Sequence, residues 1–211
     1  PQAAAVSRLL PGGSATIAWD VRPPAAASGR WVTLRPAARF SAGDRRTTVQ
    51  GQATIDVPPA PPQGFVDLST HPWAYGSITP TGDLSSRPRL DRSVNKTPVR
   101  INGHRYAHGL GVNAWADVRY YLGGRCSRFT TDVGVDDSVP SSSDQLRGTV
   151  QVSVIADGRT LFSRFMDWSM PAAHLDLPVT GVQELRLQVD ATRDWIWDDA
   201  TDWAAPHVQC A

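Results

Sequence analysis

Between residues 128 and 135, Phe129, Thr131, Val133 and Val135 fall at every second position, with Thr130, Asp132 and Gly134 between them. A period of two is the mark of a β-strand that buries one face. Residues 118–122, 149–156, 160–165, 174–179 and 182–189 also read as strands. Between them lie short turn signals: Leu122-Gly123-Gly124-Arg125, Ala156-Asp157-Gly158-Arg159 and Val179-Thr180-Gly181-Val182. Asp157-Gly158 is a strong hairpin dipeptide, because both residues tolerate the positive φ that a tight hairpin turn demands. No segment shows a helical period of useful length. Short strands joined by regular turns predict an all-β chain whose C-terminal part is a β-sandwich, jelly-roll-like.

The run Pro58-Pro59-Ala60-Pro61-Pro62 marks the clearest boundary. Four prolines in five residues cannot donate to the centre of a sheet and favour an extended spacer. It divides the chain into residues 1–57, a proline-rich linker at 58–64 and a larger module at 65–211. In the first part, Ala15, Ile17, Trp19 and Val21 alternate with Ser14, Thr16, Ala18 and Asp20, after a turn signal at Leu10-Pro11-Gly12-Gly13. Residues 30–34 and 47–57 supply two more strands. Three strands are too few to close an immunoglobulin-like sandwich of about seven. A partial Ig-like β domain is the expectation, unstable alone and completed by a second chain or by the larger module, since open edges recruit other strands.

Three segments of the larger module carry a resemblance. Gly109-Leu110-Gly111-Val112-Asn113-Ala114 has glycines at alternate positions, where a backbone can approach closely. The strand over 128–135 opens into Asp136-Asp137-Ser138, and Asp198-Asp199-Ala200-Thr201-Asp202-Trp203-Ala204 lies near the C-terminus. With Leu90-Asp91-Arg92-Ser93, these resemble the NPCBM family of non-catalytic carbohydrate-binding β-sandwiches attached to glycoside hydrolases. The resemblance covers roughly residues 64–210. It departs at Asn113 and Ala200, where the family carries histidines, and at residues 74–80, where an Asn-Gly-Trp-Gly run is missing. The first module resembles the Ig-like domain that accompanies NPCBM in α-galactosidases.

The resemblance implies a carbohydrate-binding tail of a secreted bacterial glycoside hydrolase with an α-galactosidase-like parent, targeting it to galactose-type glycans. Its partners would be the glycan and the parent catalytic domain. The implied sugar-binding residues are Trp73, Asp91, Arg92, His108 and Asn113. An indole face stacks on a pyranose, and guanidinium, carboxylate and amide groups read vicinal hydroxyls. Six of the eight tryptophans follow the linker, and Trp195 and Trp197 share a loop that is a second place for a stacking surface. No cofactor is required. Asp136, Asp137, Asp199 and Asp202 are hard oxygen donors suited to a structural calcium; the alternative is that they bond backbone N–H groups of their own loops.

Composition excludes other classes. The net charge is +1 with no basic stripe, which argues against a nucleic-acid partner. No run of about 18 apolar residues exists, so no membrane helix is expected. The chain starts at Pro1 without a signal peptide, as a mature or excised piece would. Cys126 and Cys210 are the only cysteines. They are either buried thiols or, in a secreted protein, a disulfide. Glycoside hydrolysis asks for two carboxylates facing one bond. Glu184, the only glutamate, shares a solvent-facing strand surface with Arg186 and Gln188. Asp136-Asp137 and Asp198-Asp199 are neighbours on turns, poorly placed to oppose each other across a substrate. No Gly-x-Ser-x-Gly elbow is present, and His71, His104, His108, His174 and His207 lack metal-ligand spacing. Two rivals stay open: a structural module that packs on a catalytic domain without binding sugar, and an intrinsic glycoside hydrolase.

Overall fold

The alternating segment at 128–135 lies in one of the two longest strands of the chain. The computed structural model describes all residues except 1–3, 7, 11, 19, 23–26, 79–86, 140–147, 193–195 and 197. Its contacts divide the chain into residues 1–57 and 58–211. Among the described residues, every regular element is a strand.

The first unit holds β1 (Trp31–Leu34), β2 (Ala37–Ala42), β3 (Arg45–Gln50) and β4 (Ala53–Asp56). β1 pairs with β4 and β2 with β3, all antiparallel. Residues 47–57 therefore form parts of two strands, broken at Gly51, whose N–H donates to the Pro36 carbonyl. The strand expected over 14–21 is not seen among the described residues, which have no ladder partner there, and Trp19 lies outside them. Alternation alone does not make a strand where no second strand completes the hydrogen bonds. All of β2 and β3 is exposed, Phe40 and Val49 included. Among the described residues these four strands pair only two by two.

The second unit contains β5 (Phe65–Asp67), β6 (Tyr75–Ser77), β7 (Arg89–Leu90), β8 (Arg100–Ile101), β9 (His104–Arg105), β10 (Gly109–Val112), β11 (Ala116–Tyr121), β12 (Cys126–Val135), β13 (Thr149–Ala156), β14 (Arg159–Asp167), β15 (Ala173–Pro178), β16 (Glu184–Ala191) and β17 (Thr201–Cys210). A six-stranded sheet runs β15-β12-β17-β10-β7, with β5 also on β17. A five-stranded sheet runs β14-β13-β16-β11-β6. Their inner faces bury Phe129, Val133 and Trp203 from one side, and Val118, Tyr120, Val152, Leu185, Leu187 and Val189 from the other. This is the β-sandwich the strand periods predicted. The three turn signals occupy turns as read, with Asp157 and Gly158 both at positive φ. The prolines at 58–62 are laid on this unit: Pro62 is buried, and Gly64 accepts from the Cys210 N–H at 2.9 Å.

Cys126 faces Cys210 across the β12–β17 ladder, and the two form a disulfide. The bridge spans 84 residues, which in the chain-entropy model stabilises the fold by roughly 4–5 kcal/mol. Reduction or a Cys126→Ser/Cys210→Ser pair should lower the denaturation midpoint accordingly. Thiol labelling of the unreduced, denatured chain should find no free cysteine; two labelled thiols would contradict the bridge.

Candidate functional site

Residues 91–108 leave the sheet after β7 and return at β10, lying over the outer face of the six-stranded sheet. The sequence beneath them makes this close approach possible. Gly111 on β10, Asp202 on β17 and Gly134 on β12 stand side by side, facing away from the core. A Cβ on Gly111 would lie 2.2 Å from the Arg92 carbonyl oxygen, and one on Gly134 would lie 2.5 Å from Ile101 Cγ2. Only bare backbone permits that contact. Val99, Ile101 and Ala204 then close a small second core, with Tyr106 and Ala172 against it.

Asp202 is trapped under this cover at 0% exposure. Its Oδ2 accepts from the Arg100 N–H at 3.3 Å, and the same N–H reaches Asp136 Oδ2 at 3.3 Å. Meeting at one N–H, the two carboxyls act on each other. Burial first, and then the Asp136 carboxylate, push Asp202 up to about 10. Asp136 is pushed upward by burial, but hydrogen bonds from Asp202, Ser138 and Ser93 outweigh it and hold the group below its ordinary range. The pair shares one proton at neutral pH, with Asp202 the protonated partner. Two carboxyls bonded to each other do not stand on either side of a sugar linkage, where glycosidases hold them about 5 Å or more apart.

Asp137 turns away from that pair. Its Oδ2 accepts from the Gly103 N–H at 2.8 Å and faces Arg100 Nε at 3.2 Å. Of the three carboxyls expected to share a calcium, Asp136 and Asp202 meet at the Arg100 N–H, while Asp137 faces Gly103 and Arg100 Nε. Among the described residues no group of three His, Cys, Asp or Glu side chains is arranged to hold a metal ion. The hydrogen bonds to loop N–H groups, from Ser138 to Asp136 at 3.0 Å and from Gly103 to Asp137, occupy oxygens a cation would need.

Arg100 and Asp137 instead line a surface cavity of about 490 Å³ with Thr97, Pro98, Gly103, Arg105, Asp136 and Ser138. Its outer wall is the β8–β9 hairpin, turned by Asn102 and Gly103, both at positive φ. Arg105 is exposed, and its guanidinium makes no hydrogen bond or ion pair with described residues. The cavity therefore offers a free fork of donors on one wall and a fixed carboxylate and a serine hydroxyl on the other. A sequence signal for this wall exists in Asn102-Gly103, a hairpin dipeptide flanked by Arg100-Ile101 and His104-Arg105.

The five residues expected to hold sugar are divided by the fold. Asp91 and His108 meet, Oδ1 to Nδ1 at 3.3 Å, with Ser69 and the Gly109 N–H also on Asp91 Oδ1 and Asp67 4.0 Å from the imidazole. Arg92 follows in the chain, but its Nη1 donates to the Lys96 carbonyl. Asn113 lies beyond the other end of β10, about 16 Å along the strand from His108 at some 3.3 Å per residue, and its Nδ2 donates to the carbonyls of Ala114 and Ile196. Trp73 packs on the core and over Gly76, where an added Cβ would lie 2.7 Å from the indole nitrogen. Trp195 and Trp197 lie outside the described residues. Asp67, Ser69, Arg100 and Arg105 went unread because their proximity depends on the excursion folding back.

The NPCBM/NEW2 domain model matches residues 66–209, the span of the sandwich. The chain belongs to the NPCBM/NEW2 domain family. Over 99% of its length this NPCBM/NEW2 chain is 27% identical to a protein of Renibacterium salmoninarum provisionally named an endo-alpha-N-acetylgalactosaminidase, and it spans 14% of that relative. Among solved structures, the CBM51 of Clostridium perfringens GH95 in complex with methyl-galactose superposes with a TM-score of 0.61 at 23% identity. The match covers 69% of this chain and 99% of that one. The M60 catalytic domain with CBM51-1 and CBM51-2 from C. perfringens ZmpB gives 0.59 at 25% identity, covering 87% and 18%.

A carboxyl raised above its unfolded pKa contributes its stability in full below the unfolded value and loses it as pH rises toward the folded one. Asparagine reproduces the protonated Asp202 without needing a proton. Asp202→Asn should therefore match the wild type near pH 4 and exceed it increasingly up to pH 8, by about 1.4 kcal/mol for each pH unit. Thermal denaturation across that range measures it; a variant less stable at every pH would show that the pair is not proton-sharing.

Proposed function

We propose that this chain is a non-catalytic glycan-binding module that holds a secreted glycoside hydrolase on galactose-configured glycans, with the sugar seated in the cavity beneath the β8–β9 hairpin. Membership of the NPCBM/NEW2 family across the whole sandwich carries this reading. The relative's name sets the sugar to try first, since a tail that retains an endo-alpha-N-acetylgalactosaminidase near its substrate would recognise sugars of galactose configuration. An α-galactosidase-type parent would ask for the same configuration. The disulfide supports an extracellular setting, because such bridges persist in oxidising compartments.

The cavity suits a neutral sugar on chemical grounds. Arg105 donates a fork that spans two vicinal hydroxyls, while Asp137 and Ser138 accept in return. Such shallow sites bind weakly, and the gain to an attached enzyme is the higher local concentration of substrate.

Calorimetric titration of the full chain with methyl galactoside and N-acetylgalactosamine tests the assignment. Arg105→Ala should weaken binding about tenfold or more, with an unchanged melting temperature because that guanidinium has no protein partner. If Asp91→Ala or His108→Ala removes binding while Arg105→Ala does not, the sugar sits at the other edge of the excursion. Wild-type protein that binds no glycan on a broad array would leave a structural module in place of this reading.

A further inference from the structure

Among the described residues of the second unit, no segment comparable to the 91–108 excursion lies on the outer face of the five-stranded sheet, and the register there assembles a continuous row of polar side chains. Ser163 of β14 faces Ser153 of β13, which faces Gln188 of β16, then Asp117 of β11, then Ser77 of β6. The next row is Ile155, Arg186, Arg119 and Tyr75. On the other side stand Phe165, Gln151 and Asp190. All point outward, since their strand neighbours Val152, Val154, Leu187, Val189 and Val118 are in the core. Five strands at about 4.8 Å spacing make a row of about 19 Å. That length accommodates several linked sugars, where the cavity on the opposite sheet holds one or two.

Polar residues outward are ordinary for a sheet with one wet face. What distinguishes this face is that its side chains lie along the sheet and are tied to one another. Asp117 accepts from Arg119 Nη2 at 2.7 Å and from Arg186 Nε at 2.8 Å. The Arg119 guanidinium lies 5.1 Å from the centre of the Tyr75 ring. Ser163 Oγ bonds Ser153 at 2.9 Å and accepts from Gln151 Nε2 at 2.7 Å, and Gln188 Nε2 donates to Asp190 at 2.6 Å. Ser153 is only 8% exposed. Rings mark the two edges, with Phe165 45% and Tyr75 46% exposed.

Arg119 and Arg186 are matched by Asp117, Asp190 and Glu184 on the same face, so the floor has unfilled hydrogen-bond capacity and no excess of positive charge. Among the described residues, the Arg186 Nη groups and the side-chain carbonyls of Gln151 and Gln188 make no further hydrogen bond. Such a surface offers little to a polyanion, which is held by unpaired lysine and arginine. It matches a neutral ligand dense in hydroxyls, with a flat ring at each end for an apolar sugar face. Holding these side chains in place before the ligand arrives reduces the ordering cost of binding.

We infer that the outer face of the five-stranded sheet is a second carbohydrate-binding surface, for an extended neutral oligosaccharide lying across the strands from Phe165 to Tyr75. The class of ligand rests on the glycan-binding reading above; the location does not.

Isotope-labelled full chain titrated with a linear galactose tetrasaccharide, and separately with methyl galactoside, tests it by nuclear magnetic resonance. The tetrasaccharide should shift the side-chain amides of Gln151 and Gln188 and the backbone amide of Ser153, while methyl galactoside should not. A Tyr75→Ala/Gln188→Ala variant should bind the tetrasaccharide about tenfold more weakly and methyl galactoside as the wild type does. Shifts confined to residues 97–105 and 136–138 with both sugars would overturn the second surface and leave the cavity reading standing. No shift anywhere with either sugar would overturn both.

Discussion

The outer face of the six-stranded sheet depends on two glycines that flank a buried acid. Gly111 and Gly134 leave bare backbone on either side of Asp202, and the excursion over 91–108 settles into that gap. Once it has settled, Asp202 is cut off from water and its energetics are set by Arg100 and Asp136. The cavity follows from the same event, because its walls are the excursion's hairpin and the loop that carries Asp136 and Asp137. Removing the close approach would expose the acid, free the hairpin and erase the cavity together.

The protonated acid explains why so many carboxylates in one region need not mean a cation. A hydrogen bond between two carboxyls costs one bound proton, and the loop N–H groups of Ser138 and Gly103 take Asp136 Oδ1 and Asp137 Oδ2. The sandwich thereby uses its acidic residues as fasteners between a loop and a sheet. The two faces then differ in kind among the described residues: one sheet lies under the 91–108 excursion and carries a cavity, the other presents a polar floor.

Much of the architecture was legible before any coordinates. The alternation in Phe129, Thr131, Val133 and Val135 places buried side chains because a strand's geometry offers only two faces, and Asp157-Gly158 turns the chain because few residues tolerate its φ angles. Gly109 and Gly111 announced a close backbone approach, though not what would approach. Where the same alternation failed, at residues 14–21, the missing ingredient was a partner strand, which no local pattern contains.

The sequence by itself determined the long strands of the larger module, the turns, the family and the sandwich, since each depends on side-chain period or local backbone preference. Only the tertiary structure decided which candidate residues stand together. It separated Asn113 from Asp91 and His108 by the length of β10, pressed Trp73 against Gly76, turned Asp137 from Asp202 and placed Arg105 and Ser138 on one cavity. Those relations join segments far apart in the chain, and distance through space is set by strand register and by which backbone can descend onto which glycine.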